Sequence, residues 1–238
     1  MRRLPWPTAC LLASAVAACG DDPGLPLGLA VSHIDVSRCA FGQDFTTDSR
    51  NDWFPIDVGR QWILAGEEKG ILVELTITVL DEIQRVGGVD TRVVVEEERE
   101  DGAVIEVSRN YYALAPDATV CYFGEAVDIY ENGVVVSHEG AWRADEGDNF
   151  PGVFMPAEPT VGVRFQMEGA PGIAEDEARV VRGNAVTLEA GVFPETIRIR
   201  ESNPLDHSVG FKVFGKGVGL LVDGPVSLVS YSGGTGGN

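Results

Sequence analysis

Hydrophobic and polar residues alternate along most of the chain after residue 50, and this alternation predicts β-strands. In residues 71–80, ILVELTITVL, every odd position is apolar, whereas most even positions are polar. A two-residue period is typical of an antiparallel strand with one buried face. Similar stretches recur and predict about ten strands, at residues 71–80, 91–100, 103–114, 120–131, 134–142, 179–183, 185–190, 196–202, 210–214 and 219–223.

Short turn sequences separate several of these stretches. Asp101-Gly102 and Asn132-Gly133 are typical of two-residue hairpins, in which both central residues have a positive φ. Gly87-Gly88 and Gly183-Asn184 predict further tight turns. Since no window of a dozen residues has the period of an amphipathic helix, we expect a mainly β fold with little helix. A curved antiparallel meander or a barrel-like sheet of about ten strands fits this pattern.

One long segment, residues 143–162, interrupts the alternation with prolines, glycines and acidic residues. We expect it to be a loop that folds over one mouth of the sheet. Its carboxylates are oxygen ligands of the kind that Ca²⁺ prefers, but no complete EF-hand loop is present. Weak candidates for a calcium site are Asp145, Glu146 and Asp148 in this segment, together with Glu175, Asp176 and Glu177 later in the chain. The alternative is a solvated acidic surface.

The first residues of the chain have the features of an export signal. Two arginines precede an apolar segment of about 15 residues, shorter than the roughly 20 that cross a bilayer as a helix. Residues 16–19, VAAC, resemble the bacterial lipobox, which implies that residues 1–18 are removed and that the Cys19 thiol receives a diacylglycerol. The alternative is an ordinary signal peptide that is cut at a small-residue site.

A lipidated Cys19 would anchor the mature protein in a membrane of the cell envelope. Two or three acyl chains give stable anchoring, whereas one is marginal. The next residue is Gly20 rather than aspartate, and the lipoprotein resemblance then implies the outer membrane if the cell has one. We expect three further parts: a Pro/Gly-rich tether at residues 19–50, an antiparallel β-domain at residues 51–232 and a Gly-rich tail at residues 233–238.

The mature chain is strongly acidic. Without residues 1–18, which include Arg2 and Arg3 but no acid, it has 16 basic and 37 acidic residues, a formal net charge of −21. Phosphate binding needs clustered lysines and arginines, and none are clustered along the sequence. We therefore expect neither nucleic-acid binding nor direct contact with anionic lipid headgroups.

Cys39 and Cys121 are the two cysteines that remain after processing and acylation. In an oxidising compartment they either form a disulfide or stay as two buried thiols. A disulfide would close a loop of about 80 residues and contribute on the order of 4 kcal/mol to stability. The sequence contains no C-x-x-C pair and so gives no indication of a redox or zinc site.

Several motifs in fixed order resemble a family of uncharacterised bacterial exported lipoproteins. They are WFPIDVGRQW, YFGE, MPAEP and AED, at residues 53–62, 122–125, 155–159 and 174–176. The family pattern reads W-F-P-L-x-x-G-x-x-W, Y-F-G-E, M-P-A-x-P and A-E-D, and the resemblance covers nearly all of the chain after residue 51. Cys121, His138 and Ala141 depart from it. The resemblance implies a fold and a location, but no activity.

Few residues fit a catalytic or ligand-binding role. Trp53, Trp62 and Trp142 are candidates for ligand-facing aromatics, with core packing as the alternative. The chain has three histidines, without an H-E-x-x-H or G-x-S-x-G motif. We therefore expect a non-catalytic domain that needs no cofactor.

These observations favour a lipid-anchored cell-envelope protein whose β-domain binds a small amphiphile or a protein. One alternative is a structural or interaction lipoprotein without a ligand cavity, and another is an envelope hydrolase that uses carboxylates. A cavity lined by apolar residues would favour the binding domain, whereas a filled core with an exposed apolar patch would favour the interaction protein.

Overall fold

The computed structural model describes residues 32–233, and most of the alternating stretches are β-strands there. The described residues contain a short 3-10 helix at Val36–Cys39 and sixteen strands. The strands are β1 (Gln61–Glu68), β2 (Ile71–Val86), β3 (Val89–Glu100), β4 (Ala103–Leu114), β5 (Val120–Glu131), β6 (Val134–Ser137), β7 (Trp142–Arg143), β8 (Gly152–Met155), β9 (Arg164–Gln166), β10 (Glu177–Arg182), β11 (Val186–Leu188), β12 (Gly191–Phe193), β13 (Thr196–Ser202), β14 (Val209–Gly215), β15 (Gly219–Asp223) and β16 (Val226–Ser232).

Fourteen of these strands form one antiparallel sheet. Its order is β6-β5-β4-β3-β2-β1-β16-β15-β14-β13-β10-β9, and β7 and β8 also pair with β5. The prediction of a mainly β, antiparallel fold is confirmed, with 14 strands in the sheet instead of about ten. Part of the difference lies in β7, β8 and β9, which have two to four residues and are too short to show a period. Within residues 32–233, the outer strands β6 and β9 are not paired with each other, so the sheet stays open.

The loop expected at residues 143–162 contains a core strand. All four residues of β8 are buried, and β8 pairs with the first residues of β5. Successive buried residues hide the two-residue period, which is why this strand resembles a loop in the sequence.

The tight turns place several hairpins at one end of the sheet. Asp101 and Gly102 have φ values of 46° and 82°, and Asn132 and Gly133 have 53° and 77°, as two-residue hairpins require. The turns β1–β2, β3–β4 and β5–β6 lie at the same end, since consecutive hairpins alternate. Strand β16 pairs antiparallel with β1, and β15, β14 and β13 follow as consecutive antiparallel strands. The turns β13–β14 and β15–β16 therefore lie at this end as well. We call this the hairpin end.

The sheet is strongly curled around Phe54. The Phe54 ring centroid lies 5.4 Å from that of Tyr112 on β4 and 6.4 Å from that of Phe214 on β14. Five strands separate β4 from β14 in the sheet, a distance of about 29 Å if the sheet were flat. The strands therefore wrap around the ring and form a concave interior.

Buried aromatic and aliphatic side chains fill much of that interior. Aromatic pairs with centroids 4.5 to 6.5 Å apart connect the strands that meet there. Such pairs add to the free energy gained by burying apolar surface. The largest of these side chains include Phe54, Trp62, Tyr112, Phe154, Phe165 and Phe214.

The chain contacts the sheet well before residue 51. Ser32 and Ile34 form backbone hydrogen bonds of 3.0 and 2.9 Å with Arg164 on β9. Thr46 forms two with Leu114 at the end of β4. We call residues 32–50 the N-terminal strap, because they run from the edge strand β9 to the ends of β4 and β5.

A disulfide between Cys39 and Cys121 fixes the middle of the N-terminal strap to β5. Both cysteines are fully buried, and their Cα atoms are 5.5 Å apart. The rings of Phe41 and Phe45 pack on Phe123 beside it. The half of the expected tether that the structure describes is thus bound to the domain.

Two expected features lie outside the described residues: the signal peptide with the lipidated Cys19, and residues 234–238 of the tail. Among the residues from 32 to 233, no helix is long and apolar enough to cross a membrane.

Candidate functional site

The concave face of the sheet becomes acidic towards the hairpin end. On β3, Val94 is buried, and Glu96 and Glu98 follow at two-residue steps, so they share its concave face. On β4, Glu106 stands directly opposite Glu98. These three glutamates are half-buried. The hydrocarbon lining of the interior therefore gives way to carboxylates.

Strands from the other half of the sheet contribute a lysine and two more carboxylates. Lys212 on β14 lies between Glu201 on β13 and Asp223 on β15. Its Nζ is 3.5 Å from Glu201 Oε2 and 3.6 Å from Asp223 Oδ2. The curl brings this group towards β3, because Lys212 also interacts electrostatically with Glu96.

Three further carboxylates come from β5 and from the segment between β9 and β10. Glu125 on β5 interacts electrostatically with Glu168 and Glu106, and Glu168 interacts with Asp176. We call the whole group the carboxylate cluster. Its members are Glu96, Glu98, Glu106, Glu125, Glu168, Asp176, Glu201 and Asp223, together with Lys212.

Burial shifts the protonation of the carboxylate cluster. Loss of hydration is the main cause, and repulsion between the carboxylates adds to it. Together they raise the pKa of Glu96, Glu98 and Glu201 to about 7 and that of Glu168 to about 8. Lys212 opposes this rise at Glu96 and Glu201 by favouring their charged forms. The cluster therefore shares several protons near neutral pH.

Glu125 lies in a buried polar network. Desolvation raises its pKa well above the usual value, and repulsion from Glu168, Glu106 and Glu96 adds to this rise. A hydrogen bond with Tyr122 has the opposite, smaller effect, because it favours the charged form of Glu125. The Tyr122 hydroxyl also hydrogen-bonds Asn110 Oδ1, and Asn110 Nδ2 donates to Ser108 Oγ at 3.0 Å.

The tryptophans named from the sequence lie in different environments. Trp62 and Trp142 are 0% and 3% exposed, so their rings belong to the core. Trp62 stacks on Phe54 and donates its Nε1 hydrogen to the carbonyl oxygen of Val218 at 2.8 Å. Trp53 is partly exposed and packs against the edge of the core.

The acidic loop residues mainly contact a neighbouring arginine. Asp145 binds the Arg143 guanidinium at 3.0 Å and accepts the Gly87 backbone hydrogen at 2.8 Å. Glu146 lies 3.6 Å from Arg143, and Asp148 is exposed. In the part of the chain that the structure describes, no three His, Cys, Asp or Glu side chains are arranged to hold a metal ion.

The carboxylate cluster is not apparent in the sequence, because its members come from distant segments. One signal was available in VVVEEERE, residues 93–100, where Glu96 and Glu98 are in phase with the buried Val94. Acidic residues in phase with core positions indicate a polar interior.

Comparisons with known protein families, with characterised proteins and with solved structures find no match. The geometry of the carboxylate cluster and the sequence motifs are therefore the basis for a function.

Proposed function

We propose that this chain is a lipid-anchored protein of the bacterial cell envelope whose β-domain binds a cationic amphiphile without catalysis. The anchor is supported by the lipobox-like residues 16–19. The binding function is supported by one observation above all: half-buried glutamates line the concave face near exposed apolar side chains of the hairpin end.

The concave glutamates of β3 and β4 have no cation within ion-pair distance, although Lys212 acts on Glu96 from further away. Lys212 pairs with Glu201 and Asp223, whereas Glu96, Glu98 and Glu106 form no ion pair with any residue from 32 to 233. A positively charged group placed among them would relieve their repulsion and favour their ionised forms. The mouth at the hairpin end therefore fits an ammonium or guanidinium group.

Apolar side chains at the same end suit a hydrocarbon chain. Ile71 next to the β1–β2 turn is 37% exposed and is in phase with the buried Val73 on the concave face, and Val134 next to the β5–β6 turn is 64% exposed. Leu205 in the β13–β14 turn is exposed as well. An amphiphile would contact this apolar rim with its chain and the carboxylates with its head.

Binding of detergents with one chain length and different headgroups tests this proposal. The mature chain, residues 19–238, is titrated with dodecyltrimethylammonium, dodecyl sulfate and dodecyl maltoside below their micelle concentrations. We expect the cationic detergent to bind most tightly, and Glu96→Gln/Glu98→Gln to weaken its affinity about tenfold. The matched control is Glu67→Gln/Glu74→Gln, which removes two exposed carboxylates from the convex face. Equal affinity for the three headgroups would contradict the proposal.

The anchor has its own test. Intact-mass analysis of protein extracted from membranes should show loss of residues 1–18 and a diacylglycerol on Cys19. A Cys19→Ser variant should leave the membrane fraction. An unmodified Cys19 thiol in membrane-extracted protein would refute the anchor and leave the detergent result unaffected.

Docking of a protein partner is a second candidate, favoured by the largely filled interior and by the exposed apolar strand β6. This strand lies at an edge of the sheet and exposes Val134, Val135 and Val136. An exposed apolar edge strand can pair with a strand of another chain. Val136→Lys should then abolish partner binding and leave the detergent affinity unchanged.

A further inference from the structure

Three arginines stand side by side on neighbouring strands. Arg164 on β9 is directly opposite Arg179 on β10, and Arg179 is directly opposite Arg200 on β13. Arg198 lies two residues before Arg200 and so shares its face. We call these four residues the arginine row.

The arginine row lies on the convex face of the sheet. The residues next to it in sequence, Phe165, Ala178, Val180 and Ile199, are all buried in the core. Since successive side chains of a strand point to opposite faces, the arginines point outwards. Arg164 and Arg198 are exposed, and Arg179 and Arg200 are half-buried.

No carboxylate neutralises this row. Like charges directly opposite one another destabilise a sheet, yet none of the four forms an ion pair with a residue of the described range. The Nε of Arg179 is buried without a hydrogen-bond partner, and the Arg198 guanidinium lies 3.7 Å from the ring centroid of Phe211. Glu177 shares the convex face but pairs with none of them.

Arginines elsewhere in the protein behave differently. Many of them bind a carboxylate within 4 Å, among them Arg38, Arg60, Arg85, Arg92, Arg99, Arg109 and Arg143. In a chain with 37 acidic residues, a face of four unpaired arginines therefore indicates an external anion as the partner.

Ser32, the first residue that the structure describes, lies beside this row. Arg164 donates its backbone hydrogen to Ser32 and accepts one from Ile34, so the N-terminal strap begins at the first arginine. Cys19 precedes Ser32 by 13 residues. These residues can span at most about 45 Å, which keeps the arginine row close to the membrane that holds the acyl chains.

We propose that the arginine row docks on anionic phospholipid headgroups of the membrane that carries the Cys19 anchor. This inference rests on the anchor in the proposed function. Guanidinium groups match phosphate oxygens in a bidentate geometry, and the acidic remainder of the domain is repelled by the same surface. Docking places the convex side of β9, β10 and β13 on the bilayer and directs the hairpin end sideways, where a ligand can enter.

Arginine modification on vesicles tests the docking. The mature chain is coupled through the Cys19 thiol to a maleimide lipid, in vesicles of phosphatidylcholine alone or mixed with phosphatidylglycerol. Phenylglyoxal modification is then followed for each arginine by mass spectrometry. At low ionic strength we expect Arg164 and Arg198 to react several-fold more slowly on the anionic vesicles, and salt to restore their rates. Arg85, whose side chain is 71% exposed, should react equally on both.

Variants and a competing ion complete the test. Arg179→Gln/Arg200→Gln should return Arg164 and Arg198 to their neutral-vesicle rates, since each arginine contributes about fivefold to headgroup binding. Lys69→Gln/Lys216→Gln, with the same charge change, should leave the protection intact.

Equal rates on both vesicles would overturn the proposal. Equal protection by inorganic phosphate on neutral vesicles would also overturn it, by showing a discrete anion site. Maleimide coupling does not need cellular acylation, so failure of the anchor proposal is a separate result.

Discussion

Glu98 on β3 and Glu106 on β4 stand directly opposite one another on the concave face of the sheet. Two like charges in this position destabilise the sheet if both are ionised. Desolvation raises the pKa of Glu98 to about 7, and repulsion from Glu106 contributes next. A retained proton removes the repulsion. The folded domain therefore keeps protons that the unfolded chain releases near its ordinary pKa of 4.5.

Stability should consequently fall as the pH rises through neutrality. The pKa values of Glu96, Glu98 and Glu201 are raised to about 7 and that of Glu168 to about 8, so between about pH 4.5 and 8 the folded state binds more protons than the unfolded state. The free energy of unfolding decreases with pH in such a window. Urea unfolding near pH 5 and near pH 8 measures the difference.

A single substitution isolates the contribution of Glu98 to this pH dependence. Glu98→Gln carries no charge at any pH and should raise the free energy of unfolding near pH 8 by about 1 kcal/mol, allowing for partial solvent screening. Near pH 5 the change should be small, because Glu98 is then protonated in the folded state. A domain that becomes more stable between pH 5 and pH 8 would contradict this account.

Loss of the disulfide should be among the most costly changes near the N-terminal strap. Cys39 and Cys121 are 82 residues apart, and a crosslink of this span stabilises by about 4 kcal/mol on the chain-entropy model. We expect Cys39→Ala/Cys121→Ala to lower the melting temperature strongly in thermal unfolding. Arg38→Ala is the control, because it breaks only an exposed pair with Asp117 and should cost less than about 1 kcal/mol. Similar losses for both variants would contradict the crosslink's role.

β5 contains a bulge at Gly124, since Asn110 is opposite Glu125 whereas Tyr112 is opposite Tyr122. Gly124 has a φ of 121°, and a Cβ there would lie 2.3 Å from the Trp142 carbonyl oxygen. Gly124→Ala should therefore destabilise the fold by about 2 kcal/mol or more, as measured by urea unfolding. At Gly210 an added Cβ would have no atom within 4 Å, and Gly210→Ala should change stability by less than about 1 kcal/mol. If the two variants are equally stable, the bulge does not require glycine.

Alternation along the chain was sufficient to find most of the long strands, but β1 and β16 were not predicted. The bounds predicted for residues 103–114, 120–131, 196–202 and 219–223 agree with β4, β5, β13 and β15. These strands end at clear turns, and β13 alternates between buried and less buried residues, so local sequence carries much of the signal. The N-terminal strap has no period of its own, since a disulfide and a few hydrogen bonds hold it.

Groups that depend on pairing between distant segments were not predictable. Arg164, Arg179 and Arg200 meet through strand register and are 15 and 21 residues apart, so no basic cluster is visible along the chain. The expectation that this acidic protein avoids anionic headgroups depended on that missing cluster. Glu96 and Lys212 meet only because the sheet curls, which alternation within a strand does not reveal.

The curl itself should depend on Phe54. This ring contacts rings from β1, β4, β8 and β14, so Phe54→Ala should leave a cavity and cost about 3 to 5 kcal/mol. A looser curl would also admit water to the glutamates of β3, and because desolvation is the main cause of their raised pKa values, these would move towards 4.5. Phe54→Ala should therefore flatten the pH dependence of urea unfolding, whereas exposed Val58→Ala should change neither quantity. Lost stability with an unchanged pH dependence would show that other contacts hold the carboxylate cluster together.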